Sequence, residues 1–158
     1  MFWFSFWSGV NQDGPPALGT GWTPEDRNLC NEYQLILPFD DVIEAFNRTG
    51  SRVVSPRGMP NFGPMSSIRI GDRAPIIVQG AAGPEMVTLP WAWKGPTGAP
   101  VFNFRSDGRT FGGSTRCLAP ADGFFEFTPS EAGQKRKTKW RFTLAEEPIF
   151  WIAGIIKN

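Results

Sequence analysis

The chain has 158 residues, enough for one domain with a real core, and Gly (18) and Pro (15) together make about a fifth of it. With 41% apolar and 14% aromatic residues, the composition is that of a turn-rich, strand-rich globule rather than a disordered chain. A formal charge of +1 excludes nucleic-acid binding by bulk charge alone, and the absence of His excludes a His triad, a His metal site and a His general base within these residues. No apolar run reaches the ~18–20 residues of a membrane helix. Cys30 and Cys117 are too few for a disulfide framework or an unaided structural zinc site, so a reduced, cytosolic protein without metal or cofactor is expected.

The opening MFWFSFWSGV has the apolar character of a signal peptide but neither a basic start nor a small-residue cleavage site. The following NQDGPPALGTGWTPEDRN shows no helical or strand period. Residues 1–29 hold three of the seven Trp and a net charge of −2, whereas the chain from Cys30 on carries +3. An unstructured leader over 1–29 and one domain over 30–158 are therefore expected. Structure-like patterning begins with a strand at Tyr33–Leu37, then a short helix with Asp40 as N-cap, Val42, Ile43 and Phe46 as its apolar face and Gly50 closing it. Further strands are expected at Ser67–Ile70, Pro75–Gln79, Val101–Phe104, Arg116–Leu118, Gly123–Thr128, Lys139–Leu144 and Ile149–Ile155, separated by Gly/Pro turns. The class is α+β with a mostly antiparallel, barrel-like sheet and a few short helices.

Four places carry residue types suited to chemistry, each with a structural alternative. Cys30 borders the leader and the first strand, where a thiol is either exposed or simply half-buried, while Cys117 in RCLAP reads as core. Glu126 in GFFEF shares a strand face with Phe124 and Thr128; a carboxylate among aromatic rings resists ionisation and suits a general acid or base, unless it lies on a solvated face. In VFNFRSDGRT, Asn103 and Arg105 project to one side and Arg109 follows across the Asp107-Gly108 turn, a set able to hold phosphates or to remain surface arginines. In PWAWKGP, alternation places Trp91 and Trp93 on one side beside Lys94, as in single-stranded nucleic-acid binders or as in a core. The run KRKTK at 135–139 reads as a solvated hairpin tip.

As an ordered set these motifs resemble the SRAP family, the SOS response-associated peptidases that process abasic sites. CNEY is similar to the family's Met-Cys start, NFGP (61–64) to its Asn-x-Ala-Pro segment, and WAWKGPTGAPVFNFRSDGR to its Trp strand and Asn-x-Arg motif. RCLAPADGFFEF resembles its most specific signature, Arg-Cys-Leu-x-Pro-Ala-x-Gly-Phe-Tyr-Glu-Trp, and FWIAG the Phe-Ala-Gly strand that follows. The resemblance implies a bacterial, nucleoid-associated monomer whose partner is single-stranded DNA containing abasic sites, with no membrane association. It implies that Cys30, as an N-terminal residue, forms a thiazolidine crosslink with the lesion, that Asn103 holds the sugar or the N-terminal residue, and that Glu126 moves protons. It further implies that Arg105 and Arg109 bind phosphates, that Pro64 and Trp91 wedge or stack at the lesion, and that Asn31 contacts DNA. Removal of the N-terminal peptide would occur in the same site.

Glu32 stands where the family often has Arg, which implies one DNA contact fewer. The family's His-x-Arg motif lies downstream of the strand resembling FWIAG, so this chain reads as a C-terminally incomplete copy. Cys30 needs a free α-amine, which implies either a self-removed 29-residue propeptide or, preferably, translation from the codon for Leu29, whose UUG or CUG form serves as a bacterial start. Two other functions stay open: a degenerate single-stranded DNA-binding module of the same fold, and a thiol peptidase, for which no base partner of Cys30 can be named.

Overall fold

The computed structural model describes residues 31–55, 58–103, 110–128 and 137–157. The leader, Cys30, Arg105 and Arg109 lie outside the described residues. Strand β1 (Glu32–Leu35) is buried at all its positions, as an inner strand covered on both faces must be. Its alternation sends Tyr33 and Leu35 into the apolar core and Glu32 and Gln34 to the opposite face.

Helix α1 (Phe39–Asn47) follows, with Val42, Ala45 and Phe46 buried at helical spacing. Asp40 is not its N-cap. Pro38 holds that position, its carbonyl accepting from the Val42 amide at 3.2 Å, and no side chain caps the end. Asp40 and Asp41 sit instead in the first turn, where carboxylates oppose the positive pole of the helix. Gly50, at φ +87°, supplies the left-handed turn after the helix, and Phe46 meets the Trp151 ring edge-on at 5.5 Å.

Ten strands are described: after β1 come β2 (Met65–Arg69), β3 (Arg73–Gln79), β4 (Pro84–Pro90), β5 (Trp93–Lys94), β6 (Pro100–Val101), β7 (Thr115–Ala121), β8 (Gly123–Thr128), β9 (Thr138–Phe142) and β10 (Phe150–Ile156). They form a four-stranded sheet in the order β2-β1-β8-β9, another in the order β10-β7-β3-β4, and the small β5–β6 hairpin, with every strand pair antiparallel. The class is thus α+β and mostly antiparallel, with one helix and no closed barrel among the described residues. No helix among the described residues is long and apolar enough to cross a membrane.

The two larger sheets meet through one nearly continuous strand. β7 belongs to one sheet and β8 to the other, with only Asp122 between them. The β3–β7 ladder pairs Ile77 with Leu118 and Val78 with Cys117; continued in the same register it would set Pro75 against Pro120. Neither proline has an N–H to give, so β7 is released there and turns into the other sheet.

Two further differences from the sequence reading concern strands. β4 was not anticipated, because Pro84 and Pro90 bracket a weakly alternating PEMVTLP, yet it pairs with β3 along its whole length. The segment from Trp91 to Trp93 is not one strand: Ala92 takes φ +81°, which breaks the alternation and leaves Trp91 just past β4 while Trp93 opens β5.

Candidate functional site

Glu126 lies near the end of β8, half-buried, on the face that carries Phe124 and Thr128. β1 and β8 pair as Glu32↔Phe125, Tyr33↔Phe124 and Gln34↔Gly123, so the register carried one step outward sets Asn31 opposite Glu126. On the other side, β9 places Trp140 directly across from Glu126. The carboxylate is thus flanked by the start of β1 and by an indole.

Tyr33, paired with Phe124, connects this place to the core. Its ring meets Trp91 edge-on at 5.3 Å, and Trp91 in turn meets Phe102 at 6.3 Å. Phe102 immediately precedes Asn103, so a chain of aromatic contacts links the Asn103 segment to the strand that follows Asn31. The backbone of Trp91 is pinned as well, its N–H donating to the Asp72 carbonyl at 2.8 Å and its carbonyl accepting from Gly71 at 2.7 Å. Trp91 is 0% exposed, so its ring is part of the core rather than a surface offered to a base.

Pro64 is exposed but stands elsewhere. β2 pairs with β1 as Glu32↔Arg69 and Leu35↔Met65, which puts Pro64 beyond the Leu35 end of β1, away from Asn31 and Glu126. At ~3.3 Å per residue, the four steps from Asn31 to Leu35 span roughly 13 Å.

Glu32, at 4% exposure, faces away from the apolar core into a polar cluster. Its Oε1 accepts from Lys139 Nζ and from Ser67 Oγ, both at 2.6 Å, and Arg69 Nε lies 3.9 Å from Oε2. Burial works against its ionisation, but the hydrogen bonds from Lys139 and Ser67 and the charges of Lys139 and Arg69 hold its carboxyl below the ordinary value of 4.5. The same Lys139 ammonium sits 3.8 Å from the Phe125 ring centroid. Glu32 therefore binds the outer face of the sheet together.

Cys117 is buried in β7, and burial pushes its thiol up to about 12, which makes it an inert core residue. Two residues escaped the sequence reasoning. Trp140 is 39% exposed on the Glu126 side of β9, with its Nε1 donating to Thr128 Oγ1 at 3.3 Å; the alternation of KTKWRF is the sequence signal for it. Asp122 is 6% exposed and accepts three hydrogen bonds at the corner between the sheets, a role set by distant partners. Among the described residues no group of three or more His, Cys, Asp or Glu side chains converges as a metal site would require. Comparison with family models, with curated proteins and with solved structures found no match.

Proposed function

We propose that the chain acts on abasic sites in single-stranded DNA, with Cys30 as the covalent nucleophile and Glu126 as the acid/base. The observation that supports this most is the β1–β8 register, which sets Asn31, the residue after Cys30, opposite Glu126. An N-terminal Cys carries an α-amine of pKa near ~7.7, partly neutral at cell pH, beside a thiol on the adjacent carbon. The amine adds to the ring-opened aldehyde and water leaves, giving an imine; the thiol then adds to the imine carbon and the nitrogen takes a proton, closing a five-membered thiazolidine. No oxidant or reductant is needed. A carboxyl at the position of Glu126 protonates the departing hydroxyl and then accepts a proton back. Asn103 fits a role in holding the sugar, and Arg105 and Arg109 one in holding flanking phosphates.

The chemistry requires the Cys30 nitrogen to be free of Leu29, so the protein is tested after its N-terminus has been established by mass spectrometry. A single-stranded oligonucleotide bearing one abasic site is expected to give a heat-stable adduct on a denaturing gel. Cys30→Ala is expected to abolish the adduct and leave salt-dependent non-covalent binding, while Glu126→Gln slows adduct formation with DNA affinity retained. An adduct that survives Cys30→Ala overturns the thiazolidine mechanism. A non-catalytic single-stranded DNA-binding module is the second reading, favoured by the exposed indole of Trp140 on a strand rich in cations.

A further inference from the structure

β9 is the outer strand of its sheet, and the sequence KTKWRF that enters and forms it alternates strictly. Lys137, Lys139 and Arg141 belong to one side, the side of Phe125 and Glu32, and Thr138, Trp140 and Phe142 to the other, the side of Glu126 and Thr128. On that second side Phe142 stacks on Phe124 at 5.1 Å and 14° and merges with the core, whereas Trp140, one register step outward, keeps 39% of its surface exposed. Its ring is not loose: the Nε1 bond to Thr128 Oγ1 fixes the indole over the sheet. Around it stand Glu126, Thr128 and Thr138, so the exposed ring is framed by polar groups rather than set in a broad apolar patch. Such a frame suits a flat, single aromatic ligand better than the contiguous apolar surface of a protein partner.

Charge points the same way. Lys137 and Arg141 are exposed, and Lys139 keeps 39% side-chain exposure despite its bond to Glu32. Cations on an outer strand discourage pairing with another protein strand and attract a polyanion. We propose that the β9 edge is the track of the single-stranded DNA, with Trp140 stacking on a base that neighbours the lesion on one side of the sheet while the backbone runs along the strand edge, where the long side chains of Lys137, Lys139 and Arg141 reach its phosphates from the other side. This rests on the single-stranded DNA part of the proposed function and does not depend on the crosslinking step.

The test compares wild type, Trp140→Ala and Trp140→Phe for binding of a fluorescent single-stranded oligonucleotide with one stable abasic analogue, alongside crosslinking of the natural lesion. Base–aromatic stacking at one position predicts a loss of roughly five- to 150-fold in affinity for Trp140→Ala and partial rescue by Trp140→Phe. Replacing both bases that flank the lesion by abasic spacers is expected to erase the difference between wild type and Trp140→Ala, an effect that a merely structural role of the ring would not produce. If wild type binds and crosslinks but Trp140→Ala does both equally well, the track is wrong and the proposed function stands. If Trp140→Ala slows crosslinking with affinity unchanged, the ring does not stack a base. If wild type neither binds nor crosslinks single-stranded DNA, both fail together.

Discussion

The carboxylate of Asp122 accepts from Gln34 Nε2 at 2.6 Å, from the Ile36 amide at 2.5 Å and from the Leu37 amide at 2.9 Å, while its own amide donates to the Gln34 carbonyl at 3.1 Å. Arg141 adds a 3.3 Å bond to the Asp122 carbonyl. One side chain thus satisfies the backbone where β1 ends and locks that end to the corner between the sheets. Asp122→Ala leaves these donors without their acceptor and is expected to cost roughly 2–4 kcal/mol, read from urea unfolding, with Asp122→Asn costing less because one oxygen remains. Unchanged stability of Asp122→Ala would mean that the backbone alone makes the corner. PADGF reads in sequence as a Gly/Pro turn before a strand, whereas β7 runs on to Ala121 and only a bend at Asp122 separates it from β8. That a glutamine and two amides far along the chain depend on Asp122 is tertiary information, invisible to local patterning. The thiol and the carboxylate in RCLAPADGFFEF divide the same way: Cys117 as core was legible from its strand, whereas the neighbours of Glu126 follow only from register.

At the scale of elements, the cross-strand cluster Glu32–Lys139–Ser67–Arg69 ties β1 to β2, and reaches across β8 to β9. Because the Glu32 carboxyl titrates below its ordinary value of 4.5, its contribution is present above that pH and is lost as the pH falls through the lower folded-state value. Thermal stability measured downward from neutral pH is expected to fall in wild type below about pH 4.5 by more than in Glu32→Gln, which loses roughly 1–3 kcal/mol at neutral pH at the outset. Coincident curves for the two proteins would show that the cluster contributes nothing to folding. β8 was legible from end to end because the aromatic-rich run that follows Gly123 has strong strand character. β4 was not, since its strand character comes from pairing with β3 rather than from its own residues. The pair of Trp side chains failed for a single backbone reason, the left-handed Ala92. Glu32, legible only as a departure from the resembling motif, turns out to be a buried partner of Lys139.

For the molecule as a whole, Trp91 is the largest fully buried side chain among the described residues, and it holds β1 to the Phe102 segment. Trp91→Ala is expected to cost about 3–5 kcal/mol, a large share of the ~5–15 kcal/mol that stabilises a domain, while Trp91→Phe keeps the fold. Fluorescence and circular dichroism along a urea titration would report it; near-wild-type stability of Trp91→Ala would remove Trp91 from the framework and return it to the candidates for base contact. The general class of the fold was readable from Gly/Pro spacing and strand periods, but the sheet order was not, since β1 sits between β2, the next strand, and β8, which comes much later in the chain. That order has a consequence for the making of the protein. Gln34 must wait for Asp122, 88 residues downstream. At ~5–20 residues per second, the first strand leaves the ribosome about 4–18 s ahead of the partner that completes it. Through that interval β1 has only β2 to pair with, and Tyr33 and Leu35 lack the rest of the sheet and core that cover them, so the newborn chain exposes apolar surface until β8 is made.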